Sequence, residues 1–254
     1  METQTRTESL PVIESREATR DGAPKRKSQY VRFWFLKVAP EVRCMDAVTR
    51  NAARDEFAAI VHEYADRMFV QTYSTVGMRA DADLALVLAT YRLEDFQEMQ
   101  TRLLSTRLGQ HLTTAHSFLA MTRRSIYVGR QHMHEGQEGT RMVIRPGSAR
   151  YLFVYPFVKT RAWYMLPMAE RQRMMNQHIE LGHRYPTVRI NTTYSFGLDD
   201  QEFVVAFDSD TPEDFLDLVM KMRETEASSY TLRDTPIFTC ITMDIQGALA
   251  AMGA

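Results

Sequence analysis

Apolar and polar positions alternate with two different periods along this chain, and the switches between them mark its elements. Gln29 to Ala39 (QYVRFWFLKVA) sets Tyr30, Arg32, Trp34 and Leu36 against Val31, Phe33, Phe35 and Lys37, which is a strand period, and Pro40 stops it. From Asp46 to Ala65 the period lengthens, and Ala53, Phe57, Ile60, Val61 and Tyr64 form one stripe of a helix. Arg67 to Val76 and Asp83 to Tyr91 read as strands joined at Gly77. Glu94 to Leu108 reads as a helix ended by Gly109, and Ala115 to Ser125 as a strand. The order is β-α-β-β-α-β.

The second half repeats that order. Arg150 to Lys159, Thr187 to Phe196, Glu202 to Asp208 and Pro236 to Asp244 read as strands, with helices over Met168 to Leu181 and Pro212 to Thr225. A faint echo supports a duplication. Gly77 and Gly197 each precede acidic turn residues and an apolar strand, and acidic helix starts follow at Glu94-Asp95 and Glu213-Asp214. Each half is thus expected to be an α+β, ferredoxin-like unit (βαββαβ twice), with one sheet face left open after its own helices pack on the other. Two such faces in one chain can close on each other, which predicts a dimeric α+β barrel within one polypeptide. The expected organisation is a disordered tail over residues 1–28, an N-terminal half over 29–126, a connecting loop over 127–148 and a C-terminal half over 149–254.

Composition narrows the function classes. At 254 residues with 44% apolar content, the chain can bury one large core or two fused small ones. A net charge of −1 gives no global pull towards nucleic acid or an anionic membrane. No apolar run approaches the roughly 18 residues of a membrane span, and the polar first 28 residues lack the apolar core of a secretory signal. Cys44 and Cys240 form no CxxC motif and no disulfide framework, which favours a reducing cytoplasm.

The chemistry concentrates between Tyr155 and Asp200. Pro167 suits the first turn of a helix and Gly182 its C′ end. Within that helix Met174, His178 and Leu181 are spaced i, i+4 and i+7, with Met175 three residues before the histidine, so His178 lies on the apolar face. Two readings follow: a core histidine bonded to a carbonyl, or an axial ligand to haem iron. Strand alternation puts Tyr155, Phe157 and Lys159 on one face, and Pro156 interrupts the ladder beside them. His132 and His134 form a His-x-His pair in the connecting loop, but no nearby Cys or Asp completes a metal site.

The segments YLFVYPFVKTRAWYMLP, ERQRMMNQHIELGHRYP, GLDDQEFVVAF and TLRDTPIF together resemble the chlorite dismutase family, and within it the branch of coproheme decarboxylases. The resemblance is strongest from Tyr151 to Cys240; over residues 29–126 it is one of element order. It implies the duplicated ferredoxin-like barrel, assembled as a cytoplasmic homopentamer, with a porphyrin as substrate and ferrochelatase as a partner. It implies His178 as the proximal haem iron ligand, Tyr155 as a catalytic radical carrier, and Lys159 with Trp163 as propionate-binding residues. The implied reaction is hydrogen peroxide-dependent decarboxylation of two propionates of iron coproporphyrin III, giving haem b. On the distal side the family's chlorite-degrading members carry an arginine where this chain has Ile190. Gln137, Glu138 and His134 are the candidates for a distal base, and Glu226 or a backbone carbonyl for the partner of His178. The alternatives are a chlorite dismutase or haem peroxidase of the same fold, or a haem carrier or sensor without enzymatic activity.

Overall fold

In the computed structural model, residues 16–18, 24–26, 28–127, 143–144 and 146–254 are described. Two three-residue strands, β1 (Arg16–Ala18) and β2 (Pro24–Arg26), pair as a small antiparallel ribbon within the N-terminal segment. The remaining strands are β3 (Tyr30–Val38), β4 (Phe69–Ser74), β5 (Leu84–Thr90), β6 (Leu112–Met121), β7 (Tyr151–Lys159), β8 (Arg189–Tyr194), β9 (Phe203–Ser209), β10 (Thr231–Arg233) and β11 (Phe238–Thr242). The helices are α1 (Ala47–Ala65), α2 (Leu93–Ser105), α3 (Arg161–Met165), α4 (Met168–His183), α5 (Pro212–Arg223) and α6 (Ile245–Ala251).

Eight strands close into a barrel in the order β7-β11-β4-β5-β3-β6-β8-β9 and back to β7, and β10 adds to the far end of β7. Within each half the order is that of a ferredoxin-like sheet: β4-β5-β3-β6 and β11-β7-β9-β8. The two sheets meet along β11–β4 and β6–β8. Inside the barrel, Val31, Phe33 and Phe35 of one half pack with Leu152, Val154 and Phe238 of the other. Strand alternation produces this directly. On β5, Ala85, Val87 and Ala89 face the barrel interior while Leu84, Leu86 and Leu88 face the outer helices, so every residue of that strand is buried.

The outer layers of the two halves differ. Over the N-terminal sheet, Phe57, Val61 and Tyr64 of α1 and Phe96, Met99 and Leu103 of α2 make a solid core with the even-numbered residues of β3 and β5. The start of α1 is fixed by Asp46, whose Oδ1 accepts from Val48 N and Thr49 N at 3.0 Å. Over the C-terminal sheet, Phe153, Phe207, Phe215 and Leu218 form a small cluster under α5, and Trp163, Met174 and Ala227 form another. Between them the layer is hollow.

Some elements differ from the sequence reading. Gly182 does not end its helix: α4 runs through it to His183 and is stopped by the Tyr185-Pro186 pair that follows the Arg184 cap. Pro167 is the cap itself and not the first helical residue. Pattern reading passes over α6, although Asp244 caps it by accepting from Gly247 N at 2.6 Å and Ile245, Ala248 and Leu249 are buried beside α1. Gly109 lies beyond the end of α2 for reasons of space, since a Cβ there would sit 1.9 Å from the Leu103 carbonyl oxygen. Among the described residues no helix is long and apolar enough to cross a membrane.

Candidate functional site

The hollow layer is a cavity of about 1140 Å³ between the outer face of the C-terminal sheet, α4 and α5. That is at or above the upper end of ordinary small-molecule pockets, roughly 300–1,000 Å³. β7 supplies its floor. Tyr155, Phe157 and Lys159 all line it, as their shared parity requires, while Leu152 and Val154 point into the barrel. Pro156 is accommodated in the strand between them. It stays in register with Val204 of β9, and its missing N–H falls on the other edge, in the gap between the β11 pairing, which ends at Val154, and the β10 pairing, which begins at Val158.

α4 forms the opposite wall through Arg171, Met175, His178, Ile179 and Gly182. Met174, expected to share the histidine's face, packs instead against Trp163 and Ala227. No hydrogen bond ties His178 to a carbonyl among the described residues. Burial, with the Lys159 ammonium nearby, pushes its pKa down to about 4, which keeps the imidazole neutral with a lone pair to give. Glu226, a candidate partner for this ring, is engaged elsewhere: both of its oxygens accept from Arg173 Nη2, at 2.9 and 2.8 Å.

Lys159 is held tightly. Its Nζ donates to the Ala227 carbonyl at 2.5 Å and lies 4.7 Å from the centre of the Trp163 ring. Burial pushes its pKa down to about 8, partly offset by Glu202. The carboxylate of Glu202 accepts from Lys159 N at 2.8 Å and from the Tyr164 hydroxyl at 2.5 Å, joining the end of β7 to α3. Trp163 is buried at the cavity edge, with Tyr127 and Tyr230 against it at 6.3 and 5.6 Å. Tyr155 lies nearer the other end, with its ring 5.9 Å from that of Phe207. Burial and the Asp234 carboxylate push its phenol up, and its hydroxyl has no hydrogen-bond partner among the described residues. Asp234 in turn pairs with Arg223.

On β8, Ile190 and Arg189 both border the cavity, and the Arg189 guanidinium donates to the Ser148 carbonyl at 3.4 Å. Gln137, Glu138, His132 and His134 lie outside the described residues. Sequence reasoning passed over Arg171, Arg223, Asp234, Glu202 and Tyr164, although TLRDTPIF and GLDDQEFVVAF contain two of them. Tyr164 on α3, Arg171 on α4, Arg223 on α5 and Asp234 after β10 reach the cavity according to which elements meet over the sheet, which no local pattern encodes.

The donor set is informative. Among the described residues no three His, Cys, Asp or Glu side chains gather as a metal site; His178 faces the cavity as a neutral imidazole, and His183, which also lines it, completes no such group. A lone imidazole cannot complete a metal site by itself, but it can hold a metal that brings its other ligands in a macrocycle. The cavity is lined by five basic side chains and one acid, Asp234, against a whole-chain charge of −1, which favours an anionic ligand.

The sequence profile of the family described as chlorite dismutase matches residues 50–243. A protein named coproheme decarboxylase from Mycolicibacterium smegmatis is 30% identical over 227 residues, covering 88% of this chain and 94% of that one. Among solved structures, a mutant chlorite dismutase from Candidatus Nitrospira defluvii superposes with a TM-score of 0.80 at 23% identity, covering 89% of this chain and 96% of that one. A heme-binding protein from Thermus thermophilus superposes with a TM-score of 0.80 at 24% identity, covering 96% of this chain and 99% of that one. The duplicated barrel, the hollow C-terminal layer and the profile match over most of the chain agree, and the chain belongs to the chlorite dismutase family.

Proposed function

We propose that this protein is a coproheme decarboxylase, which converts two propionate arms of iron coproporphyrin III to vinyl groups with hydrogen peroxide as oxidant. The observation that carries this reading is the meeting of His178, Tyr155 and Lys159 in one cavity large enough for a tetrapyrrole, whose charged lining residues are five cations against one acid. The relative named coproheme decarboxylase supports it. An iron porphyrin, when bound, supplies the redox reactivity towards peroxide.

The chain's own residues supply binding and direction. His178 holds the iron from the α4 side as a neutral ligand. Lys159 has three donors and spends one on Ala227, so two remain for a carboxylate, and charge-assisted bonds of this kind are the stronger sort. Trp163 and Phe157 wall the site against water. Tyr155 gives up its hydroxyl hydrogen and recovers one from the carbon chain of a propionate. The overall balance is one peroxide per arm. The arm loses carbon dioxide and one hydrogen, two electrons reduce the peroxide, and that hydrogen with one proton completes two waters.

Chlorite turnover calls for a cation beside the iron on the distal face. The resemblance puts Ile190 at that position, and the Arg189 guanidinium at the cavity wall is bonded to the Ser148 carbonyl, which disfavours that rival. The test is to mix the purified protein with iron coproporphyrin III, titrate peroxide and follow products by mass. Two successive losses of carbon dioxide are expected. Peroxide consumption with no loss of mass would indicate a peroxidase, and porphyrin binding without turnover a carrier. Oxygen release from chlorite would restore the dismutase reading.

A further inference from the structure

The five cavity cations are not equivalent. Arg223 is paired with Asp234 at the end where Tyr155 lies. Arg189 is turned to the Ser148 carbonyl, and Lys159 is bonded to that of Ala227. Arg171 has no carboxylate partner among the described residues. Its Nη1 makes one long bond to the Tyr127 hydroxyl at 3.4 Å, and its buried Nε has no partner. A guanidinium left this way is costly unless a ligand supplies the anion.

Its position is as informative as its state. Arg171 precedes His178 by seven residues on α4, two turns or about 10 Å along the same wall. Tyr155 packs on the same apolar cluster as Tyr185, which follows the other end of that helix. Arg171 instead meets Tyr127, which packs on Trp163. Arg123 lines the cavity at the same end, where it and Tyr127 both act on the Tyr194 phenol. Among the described residues the cavity therefore has a charge-neutralised end at Tyr155 and, at the start of α4, an end whose cations have no carboxylate partner.

We propose that Arg171, with Arg123 beside it, is a carboxylate anchor that holds the acid arms the reaction spares and so fixes which arms face Tyr155. The proposal rests on the iron-porphyrin reading above. A bidentate guanidinium suits this task better than an ammonium, because its planar fork fixes the direction of the carboxylate as well as its distance. Without it the cavity would still accept a flat macrocycle over His178 but would not select its rotation.

The experiment compares the wild type, Arg171→Met, Arg171→Lys and Arg123→Met. Each is titrated optically with iron coproporphyrin III and with its tetramethyl ester, after a thermal melt shows that the fold is kept. Arg171→Met is expected to weaken binding of the free acid by about tenfold to a hundredfold and to leave the ester unchanged, with the same histidine–iron spectrum. Arg171→Lys should recover part of the loss, and exposed Arg123→Met should show a smaller loss in the same direction. With peroxide, Arg171→Met should give a mixture of singly decarboxylated isomers where the wild type gives one. Equal losses for acid and ester, or no loss for either, would overturn the anchor and leave Arg171 as a support for Tyr127. If the wild type binds the acid with this discrimination yet yields no decarboxylated product, the anchor stands and the reaction assignment falls. If the wild type binds neither porphyrin, both fall.

Discussion

At Tyr155 one oxygen atom separates two accounts of the site. Tyr155→Phe keeps the ring against Phe207, so packing is preserved, and a merely structural hydroxyl would be worth about 1 kcal/mol. With no hydrogen-bond partner among the described residues, even that loss should be small. The variant is expected to bind iron coproporphyrin III and consume peroxide but to release no carbon dioxide; normal yields of haem b would remove Tyr155 from the mechanism. His178 can be tested without any porphyrin. Its folded pKa is near 4 and its ordinary value 6.5, so between those values the unfolded chain binds more protons than the folded one. Stability of the ligand-free protein is full above about pH 6.5 and falls as pH drops towards 4. Denaturant midpoints at pH 7 and pH 5 should differ more for the wild type than for His178→Gln. Equal differences would mean that the ring is not buried as described. His178→Ala should also lose the histidine–iron spectrum, and its retention would point to another histidine.

At the scale of elements, two glycines that pattern reading treats alike behave in opposite ways. Both were expected to end helices. Gly182 is helical, and a Cβ there would meet only Ile190 and Met222 at an ordinary 3.8 Å. Gly182→Ala should therefore stabilise the ligand-free protein by about 0.5–1 kcal/mol, since it lowers the entropy of the unfolded chain without strain. Gly109→Ala drives its Cβ into the Leu103 carbonyl and should cost at least about 2 kcal/mol. Urea midpoints of the two variants decide this, and a loss of stability in Gly182→Ala would mean that α4 ends where the sequence alone suggested. The strand β7 shows the reverse case. Its alternation, read from YLFVYPFVK, places Tyr155, Phe157 and Lys159 together, because a period of two is local and survives any tertiary context.

For the whole molecule, stability depends on closing two similar sheets on each other. Phe238, from the last strand of the C-terminal half, stacks on Phe35 of the N-terminal half at 3.8 Å inside the barrel, and both are fully buried. Phe238→Ala should cost about 3–5 kcal/mol and lower the midpoint of a single transition that involves both halves. Two separate transitions, with only one of them shifted, would show that the halves fold independently. The duplication also explains where function sits. One outer layer is filled by α1 and α2 and serves stability; in the other, α4 packs mainly on α5 and the 226–230 turn, and the sheet beneath it is left open for a ligand.

The succession of strands and helices along the chain and the shared face of β7 follow from periodicity, because each depends on spacings of two to four residues. The resemblance carried by Tyr155, Lys159 and His178 could also be read from short segments. What only the tertiary structure decided lies between segments distant in sequence. Met174 and Met175, adjacent on one helix, divide between core and cavity according to what α3 and the 226–230 turn leave open. Glu202 reaches Lys159 and Tyr164 across 43 and 38 residues, and Asp234 meets Arg223 only because β10 returns along β7. Burial and charge pairing set whether a cation is spent or available. Both are properties of the closed fold, so no window of the sequence shows that Arg171 lacks a carboxylate partner among the described residues.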